Sequence, residues 1–164
     1  MPDFTNRKQP ARLSLRVTVA QATVTQTGLP NRLFGKEMGC AMDTCALGYE
    51  PVLDLIGDCQ INSFYRCPAV NLAVGGAEYS QHTKGEAVDF KPLHLPIREA
   101  FAKIAASAIP YDQLILEPSP DAPTWIHLSI TKRYAPRKQL LIASAAVGGR
   151  RVFRPYQPGE FQDA

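Results

Sequence analysis

"SQHTKGEAVDF", residues 80–90, carries a histidine and an aspartate on its way into a strand-like apolar run. His82 and Asp89 stand seven positions apart with Gly85 between them. Two readings compete: a surface loop running into a strand, or two ligands of a metal site joined by a tight turn. Alternation along a strand sends neighbours to opposite faces. Val88 and Phe90 therefore share one face of "AVDFK", and Asp89 takes the other.

The same alternation further along the chain supplies matching strands. In "WIHLSI" (125–130), Ile126, Leu128 and Ile130 form an apolar face, leaving Trp125, His127 and Ser129 opposite. In "DQLILE" (112–117), Leu114 and Leu116 share a face, while Gln113, Ile115 and Glu117 share the other. Each strand thus commits one metal- or proton-capable residue to its non-core side. With His82 just upstream, the set is His82, Asp89, His127 and Glu117. Two histidines and one carboxylate make a common catalytic zinc shell with a position left for water. Glu117 would then be free to take a proton from that water. Spacing alone leaves both readings open, because a polar residue beside a strand needs no metal to explain it.

Around these strands the sequence predicts short elements separated by many turns, as 14 prolines and 11 glycines require. Residues 1–17 read as a basic arm (Arg7, Lys8, Arg12, Arg16) with a solvated end,. "GLPNRLFGKEMG" (28–39) reads as loop, and "CALGYEPVLDLIG" (45–57) as a helix presenting Leu47, Val52, Leu55 and Ile56, closed by Gly57,. "CQINSF" is a short strand; "PAVNLAV" is a helix opened by Pro68 and stopped by Gly75 and Gly76,. "PIREAFAKIAASAIP" is the clearest helix, with Ile97, Phe101, Ile104 and Ala108 on one face,. After the two site strands, "KQLLIASA" and "VFRPY" flank "VGGRR" as a closing hairpin,. The expected class is α+β: a small antiparallel sheet with helices packed on one side and, on the metal reading, zinc in a cleft on the sheet. The domain should span 18–156, with 157–164 as a tail.

Composition excludes other classes. The 164 residues are 45% hydrophobic and 20% charged, which fits one globular domain,. A net charge of +3 is too mild to imply nucleic acid,. No stretch of about eighteen apolar residues exists, so no membrane span is expected. The N-terminus lacks an apolar run and a small-residue cleavage site, so synthesis in the cytoplasm without a signal peptide is expected. Cys40, Cys45, Cys59 and Cys67 lack paired metal-ligand spacing and read as buried free thiols, a Cys40–Cys45 bridge being the alternative,. His94 reads as a solvated side chain, Lys84 and Glu86 as exposed residues flanking the turn.

"SFYRCPAVNLAVGGAEYSQHTKGEAVDF" (63–90) resembles the S-G-Y-R-S-P-x-x-N…G-G…S-x-H-x-x-G-x-A-x-D signature of the zinc D-Ala-D-Ala carboxypeptidases. That family takes in vancomycin-resistance dipeptidases, phage endolysins and the hedgehog signalling domain. "DQLILE" followed by "WIHLSI" resembles its second block, and "PRKQLLIASAAVGGRRVFRPY" is similar to the closing segment of its phage and prophage branch. The likeness covers roughly residues 18–156. It implies that His82, Asp89 and His127 bind Zn2+, that Glu117 is the general base, and that Arg66 steadies the substrate carbonyl and its oxyanion. Ser80 matches a substrate-holding serine, and Trp125 is either a wall of the sheet or a substrate contact. Asp121, six residues before His127, is the rival base, since Glu117 lies ten before it. Arg66 could instead be structural, pairing with Glu78 or Asp58. Phe64 and Cys67 stand where the signature has glycine and serine, which bears on pocket shape rather than metal binding.

The implied activity is hydrolysis of peptidoglycan stem peptides at the bacterial cell wall or in the periplasm. It would be of D-Ala-D-Ala carboxypeptidase or L-Ala-D-Glu endopeptidase type, as in a phage lysis or virion enzyme with virion components as partners. The alternative is a non-catalytic virion or partner-binding protein that keeps the fold.

Overall fold

The computed structural model describes residues 12–118, 121–147 and 150–161. From Arg12 onward the chain is tied down. Leu13 and Val17 lie in the core, and Thr18 closes a capping box with Gln21 at the start of α1 (Val19–Ala22),. Arg16 pairs with Glu50 at 2.5 Å and with Asp54 at 2.6 Å, so it is anchored where a solvated end was expected. Arg7 and Lys8 of the expected arm lie outside the described residues.

Helix α2 (Gly35–Thr44) replaces the second half of the predicted loop 28–39. A π-helical turn, Cys45–Tyr49, carries it directly into α3 (Glu50–Ile56), so the predicted helix 45–57 is the end of a longer helical run. The wide turn shifts the buried face. Val52 and Ile56 are buried as expected, whereas Leu47 and Leu55 are exposed. Gly48 sits in that turn because the backbone there lies on the sheet: a Cβ would stand 2.6 Å from Ile130 Cγ1. Gly57, at φ +82, ends α3 as read.

The remaining elements follow the predicted order. They are β1 (Cys59–Ser63), α4 (Pro68–Ala73), a 3-10 turn (Gln81–Lys84), β2 (Ala87–Pro92) and α5 (Ile97–Ala105). Then come β3 (Gln113–Glu117), β4 (Trp125–Ser129), β5 (Gln139–Val147) and β6 (Arg150–Pro155). Helix α5 buries Phe101 and Ile104; Ala108 falls beyond its end and is exposed.

The α+β class holds, but the sheet is mixed, in the order β1-β2-β4-β3-β5-β6. β3 and β5 run parallel, while the other pairs are antiparallel. Both edges of β4 are already taken by β2 and β3, so the chain leaving β4 returns to the free edge of β3 in the same direction as β3. The closing hairpin β5–β6 forms as predicted.

Val88, Phe90, Leu114, Leu116, Ile126 and Leu128 are fully buried against the helices in one cluster with Tyr49, Val52, Phe101 and Ile104. Each such side chain contributes about 1.5–3 kcal/mol by burial. That apolar face locks the strand register, since a slip of one residue would turn Asp89 and His127 into the core. The four cysteines are free thiols. Cys45 is the buried one, and burial pushes its thiol up to about 12; Cys40, Cys59 and Cys67 are half-buried, which corrects the expectation that all would be enclosed.

Candidate metal centre

The register puts the candidate ligands in one row. Asp89 on β2 faces His127 on β4, and His127 faces Ile115 on β3. Glu117, two residues on from Ile115 and on the same face, is opposite Trp125. On the far side, Ser63 pairs with Asp89 across a one-residue bulge in β1, which brings Ser63 into the same row,. His82 arrives from the 3-10 turn, whose first residue follows Ser80; the Ser80 hydroxyl accepts from His82 N and so caps it. Gly85 closes the turn at φ +73, and a Cβ there would lie 2.3 Å from Glu37 O on α2. The turn can therefore seat only glycine without shifting the helix behind it.

One ligand atom from each of His82, Asp89 and His127 lies within 4.8 Å of the other two. Asp89 Oδ1 is 3.2 Å from His82 Nε2 and 2.8 Å from His127 Nδ1. Phe64 O lies 2.6 Å from His82 Nδ1. A carbonyl can only accept, so Nδ1 carries the proton and the Nε2 lone pair points at the cluster. Burial holds the His82 ring below its usual value, favouring the neutral, ligating form,. Burial opposes ionisation of Asp89 as well. The neighbouring His82 and the hydrogen bond from His127 outweigh it, and the Asp89 carboxyl is held far below the usual carboxylate range. A neutral imidazole and an ionised carboxylate converging on one point are a donor set that fits a divalent metal.

Arg66 reaches this cluster through its ion pair with Asp89, not with Glu78 or Asp58. Its Nη2 donates to Asp89 Oδ2 at 2.8 Å and its Nε to Ser63 Oγ at 2.8 Å. Nη1 has no partner among the described residues. Glu117 is buried and pairs with Arg151 on β6. Burial raises its carboxyl above the usual value, and the nearby cations only partly offset that. Trp125 walls the same cleft beneath Arg151, whose guanidinium carbon is 5.4 Å from the indole centroid. Asp121 is exposed and lies outside the cleft. His94 is largely solvated, 3.9 Å from Asp58.

The cleft has a volume of about 1140 Å³ and takes in Arg66, Ser80, His82, Asp89, Glu117, Trp125 and His127. Sequence reasoning missed part of its rim. Arg133, Arg137 and Arg151 also line it, and Glu86, expected to be exposed, is only 2% exposed because Arg133 covers it. The signal for two of these was present: "KRYAPRK" (132–138) holds four basic residues in seven positions. Among the described residues no helix is long and apolar enough to cross a membrane.

A family model described as Peptidase M15 matches residues 16–129, well over half of the chain and the whole segment from Arg66 through His127. No curated protein matches.

Proposed function

This chain belongs to the peptidase M15 family, a family of metallopeptidases, and from that premise we propose that it is a zinc-dependent hydrolase of bacterial peptidoglycan stem peptides. The observation that carries the reading is the single cleft that gathers His82, Asp89 and His127 with a buried carboxylate, Glu117, on the same sheet face. His82, Asp89 and His127 would hold the zinc, which supplies Lewis acidity toward a peptide carbonyl and makes a neighbouring water easier to deprotonate.

The chain's own residues do the rest. Glu117 takes the proton from the attacking water and returns it to the leaving amine, a task suited to a carboxyl that burial has raised,. Arg66 keeps Asp89 oriented through Nη2 and turns Nη1 toward the carbonyl oxygen, where negative charge grows in the transition state,. Ser80 and Trp125 border the substrate path. Trp125, Phe153, Val74 and Tyr79 all line the cleft and give it apolar surface for an extended peptide. Action at the cell wall, in a phage lysis or virion setting, is the proposed context.

The test is digestion of purified peptidoglycan by zinc-loaded protein, with the released fragments identified by mass spectrometry, beside metal analysis of the same sample. About one zinc per chain and cleavage at a D-Ala-D-Ala or L-Ala-D-Glu bond are expected, with both lost in His82→Ala or His127→Ala. Zinc binding without cleavage of any stem peptide would leave the non-catalytic alternative standing.

A further inference from the structure

The segment between β4 and β5 holds two arginines on buried carboxylates. Arg133 donates Nε and Nη2 to Glu86, both at 2.7 Å. Arg137 donates Nε to Asp112 Oδ1 at 3.1 Å and Nη2 to Oδ2 at 2.5 Å. Glu86 and Asp112 are almost wholly enclosed, at 2% and 0% exposure, whereas the two arginine side chains are nearly half exposed. Each arginine is thus gripped along one edge from behind, and its Nη1 has no hydrogen-bond partner among the described residues. The Tyr134 ring steadies both, 5.2 Å from the Arg133 guanidinium carbon and 5.7 Å from that of Arg137.

Lys84 belongs to the same place. It ends the 3-10 turn two residues before Glu86, and Asp112 also accepts from Gln81 at the start of that turn, at 3.0 Å. Lys84 lines the cleft and has no ion pair or hydrogen bond among the described residues. Three cations are therefore gathered around the turn that carries His82, and the carboxylates that hold two of them are shielded from the cleft. Guanidiniums fixed in this way present donors with little left to immobilise, which suits a planar carboxylate. The two arginines lie beyond the matched span 16–129.

We propose that Lys84, Arg133 and Arg137 form a carboxylate-recognising subsite of the cleft that selects peptides bearing a free carboxylate near the bond to be cut, an inference that rests on the peptidase reading. In a stem peptide that group is either the α-carboxylate of γ-linked D-glutamate or a C-terminal carboxylate.

The probes are synthetic L-Ala–γ-D-Glu–L-Lys–D-Ala–D-Ala with all carboxylates free, the same peptide with the glutamate α-carboxylate amidated, and a C-terminal amide. Affinity is measured by calorimetry on the full zinc-loaded chain carrying Glu117→Gln, so that binding is read without turnover. Hydrolysis of all three is measured with Glu117 intact. One of the two amides should bind at least tenfold more weakly than the free acid, and which one identifies the carboxylate read. Lys84→Met should bring the free acid down toward that amide. Arg137→Lys and Arg133→Lys, which keep a charge over the buried carboxylate, should do so in part. Lys84→Met disturbs no buried pair, so the test survives if an arginine variant does not fold. Equal affinity for all three peptides, binding of none, or discrimination that persists in all three variants overturns the subsite. Discrimination without hydrolysis of any peptide keeps the subsite and removes the peptidase reading; hydrolysis without discrimination does the reverse.

Discussion

Glu117 ionises against its surroundings. Burial raises its carboxyl, and Arg151, half exposed at the cleft edge, compensates only in part. Exchange of that carboxylate for an amide removes a charge the interior disfavours, while Arg151 can turn into water at little cost. Glu117→Gln should therefore keep zinc content and hold or raise the melting temperature while lowering kcat by about 10²–10⁴. A rate near wild type, with Asp121→Asn inactive, would move the base to Asp121 despite its place outside the cleft. Arg66 differs, because it grips Asp89 from behind. Arg66→Ala should weaken zinc binding about 10–100-fold and, even with zinc in excess, cost about 10²–10³ in kcat. Full activity at saturating zinc would reduce Arg66 to an orienting residue. Asp89, His127 and Glu117 were legible in the sequence because alternation assigns each to the non-core side of a strand. His82, on the 3-10 turn, was picked out only by its place just upstream of β2 and by the family resemblance. Arg66's partner was not, because Ser63 and Asp89 become neighbours only through the bulge in β1.

At the level of elements, the connection from β4 to β5 is held by the carboxylates beneath it rather than by apolar packing. Asp112 accepts from Arg137 N, Nε and Nη2, from Gln81 Nε2 and from Tyr134 OH. Arg137 is nearly half exposed and can be solvated once unpaired, so the cost falls below the roughly 3–5 kcal/mol of a fully buried pair,. The hydrogen bonds weakened at the enclosed Asp112 should still lower the melting temperature of Asp112→Asn. Burial alone would raise the Asp112 carboxyl; the Arg137 donors and Gln81 outweigh it and hold it below the usual value. A carboxyl lower in the folded than in the unfolded chain adds stability that is complete above about pH 4 and lost as pH falls through the folded value. The melting gap between wild type and Asp112→Asn should thus be constant from about pH 6 to 8 and narrow below about pH 4. A gap that is as wide at pH 3 as at pH 7 would mean the carboxylate's charge is not what holds the connection. Elements whose apolar residues repeat at a clean period were read correctly, α5 and the site strands among them. Helix α2 was not, because Gly35 and Gly39 imitate a loop: Gly35 opens the helix at φ +61, and Gly39 inside it costs about 1 kcal/mol that only packing recovers,. Glu86 was misjudged for a related reason: its partner, Arg133, lies 47 residues away and no local pattern announces it.

The molecule as a whole depends on strands that the family match does not reach. The match ends at residue 129, yet β5 covers the free edge of β3 and β6 brings Arg151 to Glu117. Ile142 on β5 is fully buried, and Tyr156, just past β6, closes the core against Phe101 with ring centroids 5.2 Å apart. Burial of those two side chains alone contributes about 3–6 kcal/mol, before the ladder to β3 is counted, against a total stability of about 5–15 kcal/mol for a domain. A chain ended after Lys138 would also leave β3 with an unpaired edge beside an apolar face, a template for aggregation. It should fail to fold cooperatively: no thermal transition by circular dichroism, exposed apolar surface by dye binding, and loss of stoichiometric zinc. Arg151→Met provides the contrast, since it keeps both strands and removes only the guanidinium at Glu117. That variant should melt within a few degrees of wild type and bind zinc normally, so that any fall in its rate belongs to the site. If the shortened chain instead melts cooperatively and holds zinc, β5 and β6 are an addition to a core already complete by Lys138, and the metal-binding face needs only β1 to β4.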